Sequence, residues 1–114
     1  MFKHVHYTEV AAEAVAVAGA ERVSVRWVIS EADGAPTFAM RIFEFEPGGH
    51  SPYHAHAWEH EIFILEGDGF LTVAEEKRSV KPGDVIFLSG GTTHNLTAGS
   101  KGMRMMCLVP VGCR

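Results

Sequence analysis

The sequence has little cysteine: two residues, Cys107 and Cys113, both near the C-terminus and not in a C-x-x-C pair. Neither a disulfide scaffold nor a thiol redox motif is therefore supported. Free cysteine is usually buried packing material. Because Cys107 lies in an apolar segment that we predict as a strand, its thiol can also face a pocket.

Long apolar runs and basic clusters are also missing. No stretch approaches the roughly 20 apolar residues of a spanning helix, so no membrane partner is expected. Residues 14–20 are apolar, but Glu9 and Glu13 precede them where a signal peptide would be basic, which favours a cytoplasmic location. With 10 Lys and Arg against 14 Asp and Glu, the formal net charge is −4. The scattered basic residues predict no nucleic-acid partner.

What is present reads as short strands in one domain spanning residues 1–114. Val, Ile and aromatic residues concentrate in segments that end at Gly-Pro turns. We predict strands at 22–30, 38–46, 62–65, 70–73, 85–88 and 103–109, with 62–65 and 70–73 forming a hairpin around Glu66-Gly67-Asp68-Gly69. Residues 8–18 fit either a helix or a strand. The regular spacing of the strands predicts an all-β sandwich or barrel.

Four histidines carry most of the chemistry: His54, His56 and His60 lie within seven residues, and His94 follows several predicted strands. Neutral imidazole is the commonest transition-metal ligand. On a strand, His54 and His56 would project to one side, roughly 6 to 7 Å apart. Residues 57–59 would then form the bend that delivers His60.

His94 follows Ser89-Gly90-Gly91-Thr92-Thr93, whose glycines permit a sharp turn before a new strand. The four histidines together therefore predict one metal site. The alternative is a solvated histidine-rich loop.

Two spaced motifs resemble those of the cupin superfamily. The first is Gly48, five residues, His54-x-His56, three residues, His60, six residues, Gly67; the second is Gly83, five residues, Ser89-x-Gly91, two residues, His94. They lie within 48–67 and 83–98. Ser89 stands where the second motif usually has Pro, and Ala98 where it usually has Asn, which puts loop geometry in question more than metal binding.

The resemblance implies a single cupin barrel, a double-stranded β-helix or jelly roll, of the four-histidine type. The ligands would be His54, His56, His60 and His94, since the spacing to Gly67 favours His60 over Glu61 as the third. Glu61 would then point outward or orient an imidazole. The ion would be manganese or iron by preference, with zinc, nickel and copper also possible.

The resemblance indicates the fold and the metal better than it indicates the reaction. A metal with an open coordination position suits an oxygenase or dioxygenase acting on a small organic substrate. The alternative is a non-catalytic cupin that binds a metal or small ligand as a sensor or carrier. An open edge in a small barrel also predicts a homodimer.

Pocket candidates beside the ligands are Trp58, Arg41, Met105 and Cys107. Arg41 is the one basic residue in the predicted strand 38–46. Strand alternation favours a solvated outward side chain, and the alternative is that Arg41 anchors a substrate carboxylate. The expected apolar walls are Phe38, Met40, Ile42, Phe43, Ile64, Phe87, Met103 and Met105.

Overall fold

The computed structural model describes residues 1–113 and is built almost entirely from β-strands. The strands are β1 (Glu13–Ala14), β2 (Glu21–Ile29), β3 (Phe38–His50), β4 (His60–Val73), β5 (Glu76–Val80), β6 (Val85–Leu88) and β7 (His94–Pro110). Two short 3-10 helices cover Tyr7–Glu9 and Glu31–Asp33. None of the helices in the described chain is long and apolar enough to span a membrane. The all-β prediction is confirmed.

All strand pairs are antiparallel, in the order β1-β2-β3-β7-β4-β5, and β6 also pairs with β4. β7 is central, since it pairs with β3 along one edge and with β4 along the other. The core lies on the inward faces of these strands. Its most buried large side chains are Ile64, Leu96, Val109 and Cys107.

The predicted hairpin at 62–65 and 70–73 is wrong, because β4 runs without interruption from His60 to Val73. The Gly-rich segment is a pair of register shifts on β4, between Ile64 and Glu66 and between Gly67 and Gly69. Glycine at φ +88° lets the strand bend at Gly67 without turning back. A Gly-containing segment between two apolar runs fits both a hairpin loop and a bulged strand, and the pairing with β7 decides between them.

Gly67 has a second constraint, which is close backbone contact. A Cβ added there would overlap the carbonyl oxygen of Gly102 on β7. At Gly83, also at positive φ, a Cβ would meet nothing within 4 Å. Comparing substitutions at these two glycines therefore distinguishes the cost of backbone strain from the cost of steric overlap.

We predict that Gly67→Ala destabilises the protein more than Gly83→Ala does. The Gly83 change should cost about 1 kcal/mol, from the left-handed backbone alone. The Gly67 change should cost about 3 kcal/mol or more, because the strands must also move apart. Urea denaturation of both variants tests this, and equal losses in the free energy of unfolding would contradict it.

The expected homodimer stays a prediction, and the structure points to β6 as its edge. β6 pairs with β4 alone, and its Val85 and Phe87 side chains are 76% and 61% exposed. An apolar strand edge of this kind favours pairing with a second copy. Gel filtration at micromolar concentration should show a dimer, and Phe87→Glu should shift it toward monomer. A purely monomeric wild type would refute the prediction.

Candidate metal and ligand site

Strand register builds a cavity of about 250 Å³ on the inward face of the sheet. One row across the strands is Trp27, Arg41, Cys107 and Ile62, joined by direct cross-strand pairing. The next row on the same face includes Val25, Phe43 and Met105. All of these line the cavity. Side chains two positions apart share one face of a strand, so placing one row also places the next.

His54 and His94 are brought together by the backbone. After β3 the chain continues alongside the start of β7, where Ser51 N–H donates to the Leu96 carbonyl at 3.0 Å. His54 and His94 then exchange both backbone hydrogen bonds, at 3.2 and 3.0 Å. The expectation that His94 opens a strand after the glycine turn is confirmed.

His56 lies on a loop, not on the predicted strand, since the only strand-like pairing between Ser51 and Glu59 is the bridge at His54. A backbone bond holds that loop in place: Gly91 N–H donates to the His56 carbonyl at 2.6 Å. Gly90 allows this approach because any Cβ there would overlap the Ala57 carbonyl oxygen. The loop turns the His56 ring under the indole of Trp58, with ring centroids 4.5 Å apart and planes 9° from parallel.

The fourth imidazole, His60, opens β4 opposite Leu88 of β6 and is 6% exposed. Its ring centroid lies 5.2 Å from that of His56 and 5.1 Å from that of His94. His54 is 4.1 Å from His56 and 6.1 Å from His94 by the same measure. The four predicted histidines therefore converge at one end of the cavity, two from strand ends and two from the connecting loop.

The ring nitrogens of His94 and His60 differ in their hydrogen-bond partners. His94 Nδ1–H donates to the Thr92 carbonyl at 2.8 Å, which leaves its Nε2 unprotonated. The buried Nε2 of His60 has no hydrogen-bond partner among the described residues. An unpaired buried polar atom costs about 1 to 3 kcal/mol unless something binds it.

The spacing of the nitrogens is not that of a loaded metal site. His54 Nε2 and His56 Nε2 lie 2.6 Å apart, the distance at which one donates to the other. Two nitrogens bound to one tetrahedral ion at about 2.1 Å would lie about 3.4 Å apart. Accordingly, residues 1–113 contain no group of three or more His, Cys, Asp or Glu side chains already set to hold an ion. Imidazole nitrogens are suitable metal ligands. To bind one ion, His54 Nε2 and His56 Nε2 would have to move apart by under about 1 Å.

Burial keeps the central imidazoles neutral. It lowers the pKa of His56 to about 4, with smaller contributions from His54, His94 and Arg41. It lowers the pKa of His60 to about 3, with Arg41 as the next cause. The pKa of His54 is lowered too, by burial and then by His94. At neutral pH these rings are therefore unprotonated, which is the form that binds metals.

Cys107 and Arg41 meet behind His60. The Arg41 guanidinium donates to Cys107 Sγ at 3.0 Å, and Sγ lies 3.5 Å from His60 Nδ1. Burial raises the pKa of Cys107, so the group is a thiol, not a thiolate. If Nδ1 carries the ring proton, it donates to this sulfur and the Nε2 lone pair faces the cavity. The Arg41 contact with Nδ1, at 3.4 Å, would require the opposite tautomer and is the longer of the two Arg41 contacts.

We predict that Cys107 orients His60 through its acceptor sulfur. Cys107→Val removes the acceptor and should weaken binding of a divalent metal about tenfold to a hundredfold, as loss of an orienting partner does. Cys107→Ser keeps an acceptor and should stay within a few-fold of wild type. Zinc competition against a chromophoric chelator measures both, and equal affinities for the two variants would contradict the assignment.

Other predicted pocket residues are divided between the cavity and the surface. Met105 lines the cavity, as do Arg41 and Cys107. Trp58 stacks on an imidazole. Glu61 is exposed and points away from the cavity, on the outer face opposite Phe87 and Leu108.

Of the eight candidate wall residues, Phe43 and Met105 line the cavity. Phe38 and Phe87 are exposed, while Ile64 and Met103 belong to the core. Met40 and Ile42 face the opposite side of the sheet, where they line a separate cavity together with Val5 and Tyr7. Both faces of β3 are thus apolar, and alternation alone could not tell which one lines the cavity.

Residues 15–17, left between helix and strand by the sequence, supply part of the cavity wall. Val15 N–H donates to the Val23 carbonyl at 3.0 Å, so the segment continues past the short β1 along β2. The alternation of alanine and valine here was the available signal, and it indicated an extended chain. Ser51 and Leu96 also line the cavity and were not predicted to do so.

A protein-family model described as "Cupin domain" matches residues 41–109. Among curated proteins, 1-methylthio-D-xylulose 5-phosphate methylsulfurylase of Rhodospirillum rubrum is 32% identical over 89 residues, which cover 77% of this chain and 56% of that protein. An uncharacterized protein of Methanocaldococcus jannaschii is 36% identical over 62 residues, or 53% of this chain and 50% of that one. The chain thus spans about half the length of these curated relatives.

Solved structures match over nearly the whole chain. The polyketide cyclase RemF from Streptomyces resistomycificus is 38% identical with a TM-score of 0.91, covering 96% of this chain and 80% of that one. A cupin-2 domain protein of Rhodospirillum rubrum is 26% identical with a TM-score of 0.82, covering 96% and 75%. The predicted single-barrel architecture is confirmed by these matches.

Proposed function

This chain belongs to the cupin family, and we propose that it is a cupin enzyme that cyclises a small polycarbonyl substrate at a divalent metal held by His54, His56, His60 and His94. The observation that carries the proposal is the cavity itself. Four imidazoles and one guanidinium line a cavity whose other lining residues are mostly apolar. The similarity to a polyketide cyclase over 96% of the chain supports the reaction class.

Cyclisation needs no second reactant in the cavity, because its electrons and atoms balance within the substrate. A carbon between two carbonyl groups loses a proton and attacks a third carbonyl carbon, whose oxygen takes a proton. Water leaves when the new ring becomes conjugated. No external oxidant or reductant enters. Apolar walls favour a folded substrate over an extended one, since folding brings the reacting carbons together and excludes water.

The protein's own groups would orient the substrate. A bound divalent ion would polarise carbonyl oxygens as a Lewis acid. The neutral imidazoles hold that ion without cancelling its charge, because none of the described cavity-lining residues is Asp or Glu. Trp27 and Phe43 supply aromatic wall that a conjugated substrate would contact. Since cyclisation needs no redox change, zinc would serve as well as manganese or iron.

An oxygenase is the second candidate, and the same ligand set favours it. Four imidazoles leave coordination positions free on a five- or six-coordinate ion, and iron or manganese there would suit chemistry with oxygen. A non-catalytic sensor or carrier would use the same cavity without turnover. These three functions differ in whether oxygen is consumed and whether a product forms.

The test uses a synthetic triketone thioester and the purified protein loaded in turn with zinc, manganese and iron. We expect a product with the mass of the substrate less one water, formed equally in air and under argon. The His54→Ala/His94→Ala double variant should lose about a hundredfold or more in rate, since Lewis-acid stabilisation supplies several kcal/mol.

His4→Ala is the matched control, because His4 is exposed and lies outside the cavity, and it should leave the rate unchanged. A product that forms only in air, with oxygen uptake at an electrode, would contradict the cyclase proposal and support the oxygenase. Binding of the thioester without turnover under any metal would favour the sensor or carrier.

A further inference from the structure

Arg41 is a half-buried cation that lines a largely apolar cavity. Its cross-strand neighbours are Trp27 on β2 and Cys107 on β7, and all three line the cavity. Its Cζ lies 4.8 Å from the ring centroid of Phe43 and 5.2 Å from that of Trp27. These ring faces partly offset the loss of hydration, because each is attractive to a cation.

The guanidinium has no carboxylate partner among the described residues. None of the ion pairs there includes Arg41, and no Asp or Glu is among the described residues that line the cavity. Arg41 Nε is buried without a hydrogen-bond partner in the same set. The neighbours that it does contact, the Cys107 sulfur and the His60 ring, are neutral. Removing a charge from water is costly unless an opposite charge or hydrogen bonds compensate.

Three other arginines provide a contrast. Arg26 pairs with Glu44 at 2.9 Å, Arg78 pairs with Glu76 at 2.9 Å, and Arg104 pairs with Glu66. Each of those carboxylates lies outside the ligand cavity. Arg41, which faces the cavity, has no such carboxylate among the described residues, so an anion bound in the cavity could supply the compensating charge.

We propose that Arg41 is the anion-recognition group of this cavity, and that its ligand is a planar molecule with one delocalised anionic oxygen group, a carboxylate or an enolate. The inference rests on the cavity being the substrate site of the proposed function and names the substrate class. A guanidinium donates to such oxygens with two roughly parallel N–H groups. The ligand body would lie against Phe43, Trp27 and Met105.

A single guanidinium favours one negative charge over two. A phosphate monoester carries close to two charges at neutral pH, and Arg41 would leave one of them uncompensated between apolar walls. A carboxylate or enolate is fully compensated. In the metal-free cavity Arg41 therefore favours a carboxylate or enolate over a phosphate, and binding to chelator-treated protein distinguishes the two.

The experiment measures the affinities of 2-naphthoate, 2-naphthamide and 2-naphthyl phosphate by titration calorimetry. Protein is used as purified and again after chelator treatment, so that binding to a metal is separated from binding to Arg41. In the chelated protein we expect naphthoate to bind about tenfold or more tightly than the neutral amide, the size of one charge-assisted hydrogen-bonded contact. Naphthyl phosphate should bind more weakly than naphthoate.

Arg41→Met should abolish the preference for naphthoate while leaving amide binding nearly unchanged. Arg41→Lys keeps the charge without the planar fork and should retain part of the preference, which also covers failure of the Met variant to fold. Arg78→Met, at an exposed ion pair, is the matched control and should match wild type.

Equal binding of naphthoate and amide by the wild type, no binding of naphthoate, or an undiminished preference in Arg41→Met would each overturn the inference. Tighter binding of the phosphate would overturn the ligand class. Failure of the cyclase proposal gives a different result: the naphthoate preference persists while no triketone thioester is converted. Conversely, if Arg41→Met cyclises the thioester at the wild-type rate, the role of Arg41 is refuted while the cyclase proposal stands.

Discussion

The antiparallel register of β7 against β3 and β4 is the constraint on which the site depends. β7 places Cys107 beside Arg41 on one side and beside Ile62 on the other, so one strand fixes both walls of the cavity. Its first residue, His94, is bonded through the backbone to His54. A shift of β7 by one residue would turn its inward side chains outward and separate the imidazoles.

Glycines make that register compatible with a closed sheet. On β7 the buried side chains fall at Leu96 and Ala98 before Gly102, and at Met103 and Met105 after it, so the inward face changes parity at the glycine. β4 changes in the same way around Gly67, whose Cβ-free backbone lies against Gly102. On both strands the buried side chains change from even-numbered to odd-numbered positions at the contact between Gly67 and Gly102. The core therefore stays continuous across the bend.

The sequence predicted the parts of this arrangement that are local. The two His motifs marked all four imidazoles, and the Pro-Gly turn at Lys81–Asp84 correctly marked the start of β6. What it could not predict depends on pairing at a distance. The Gly-rich segment of β4 looks like a hairpin until β7 is beside it, and the inward face of β3 is ambiguous because the other face is also apolar, with Met40 and Ile42 lining a second cavity. Strand alternation alone favours a solvated Arg41, whereas the structure places Arg41 in the lining of the cavity.

The charges in the cavity connect the metal proposal to the ligand proposal. Lowered pKa values keep His56 and His60 neutral, partly because Arg41 lies close to both. If these rings hold a divalent ion, its two positive charges add to that of Arg41, and no Asp or Glu among the described lining residues offsets them. Like charges at short range in a medium of low polarity repel strongly. An anionic ligand that contacts both the ion and the guanidinium relieves this repulsion, so ion and ligand should each strengthen the binding of the other.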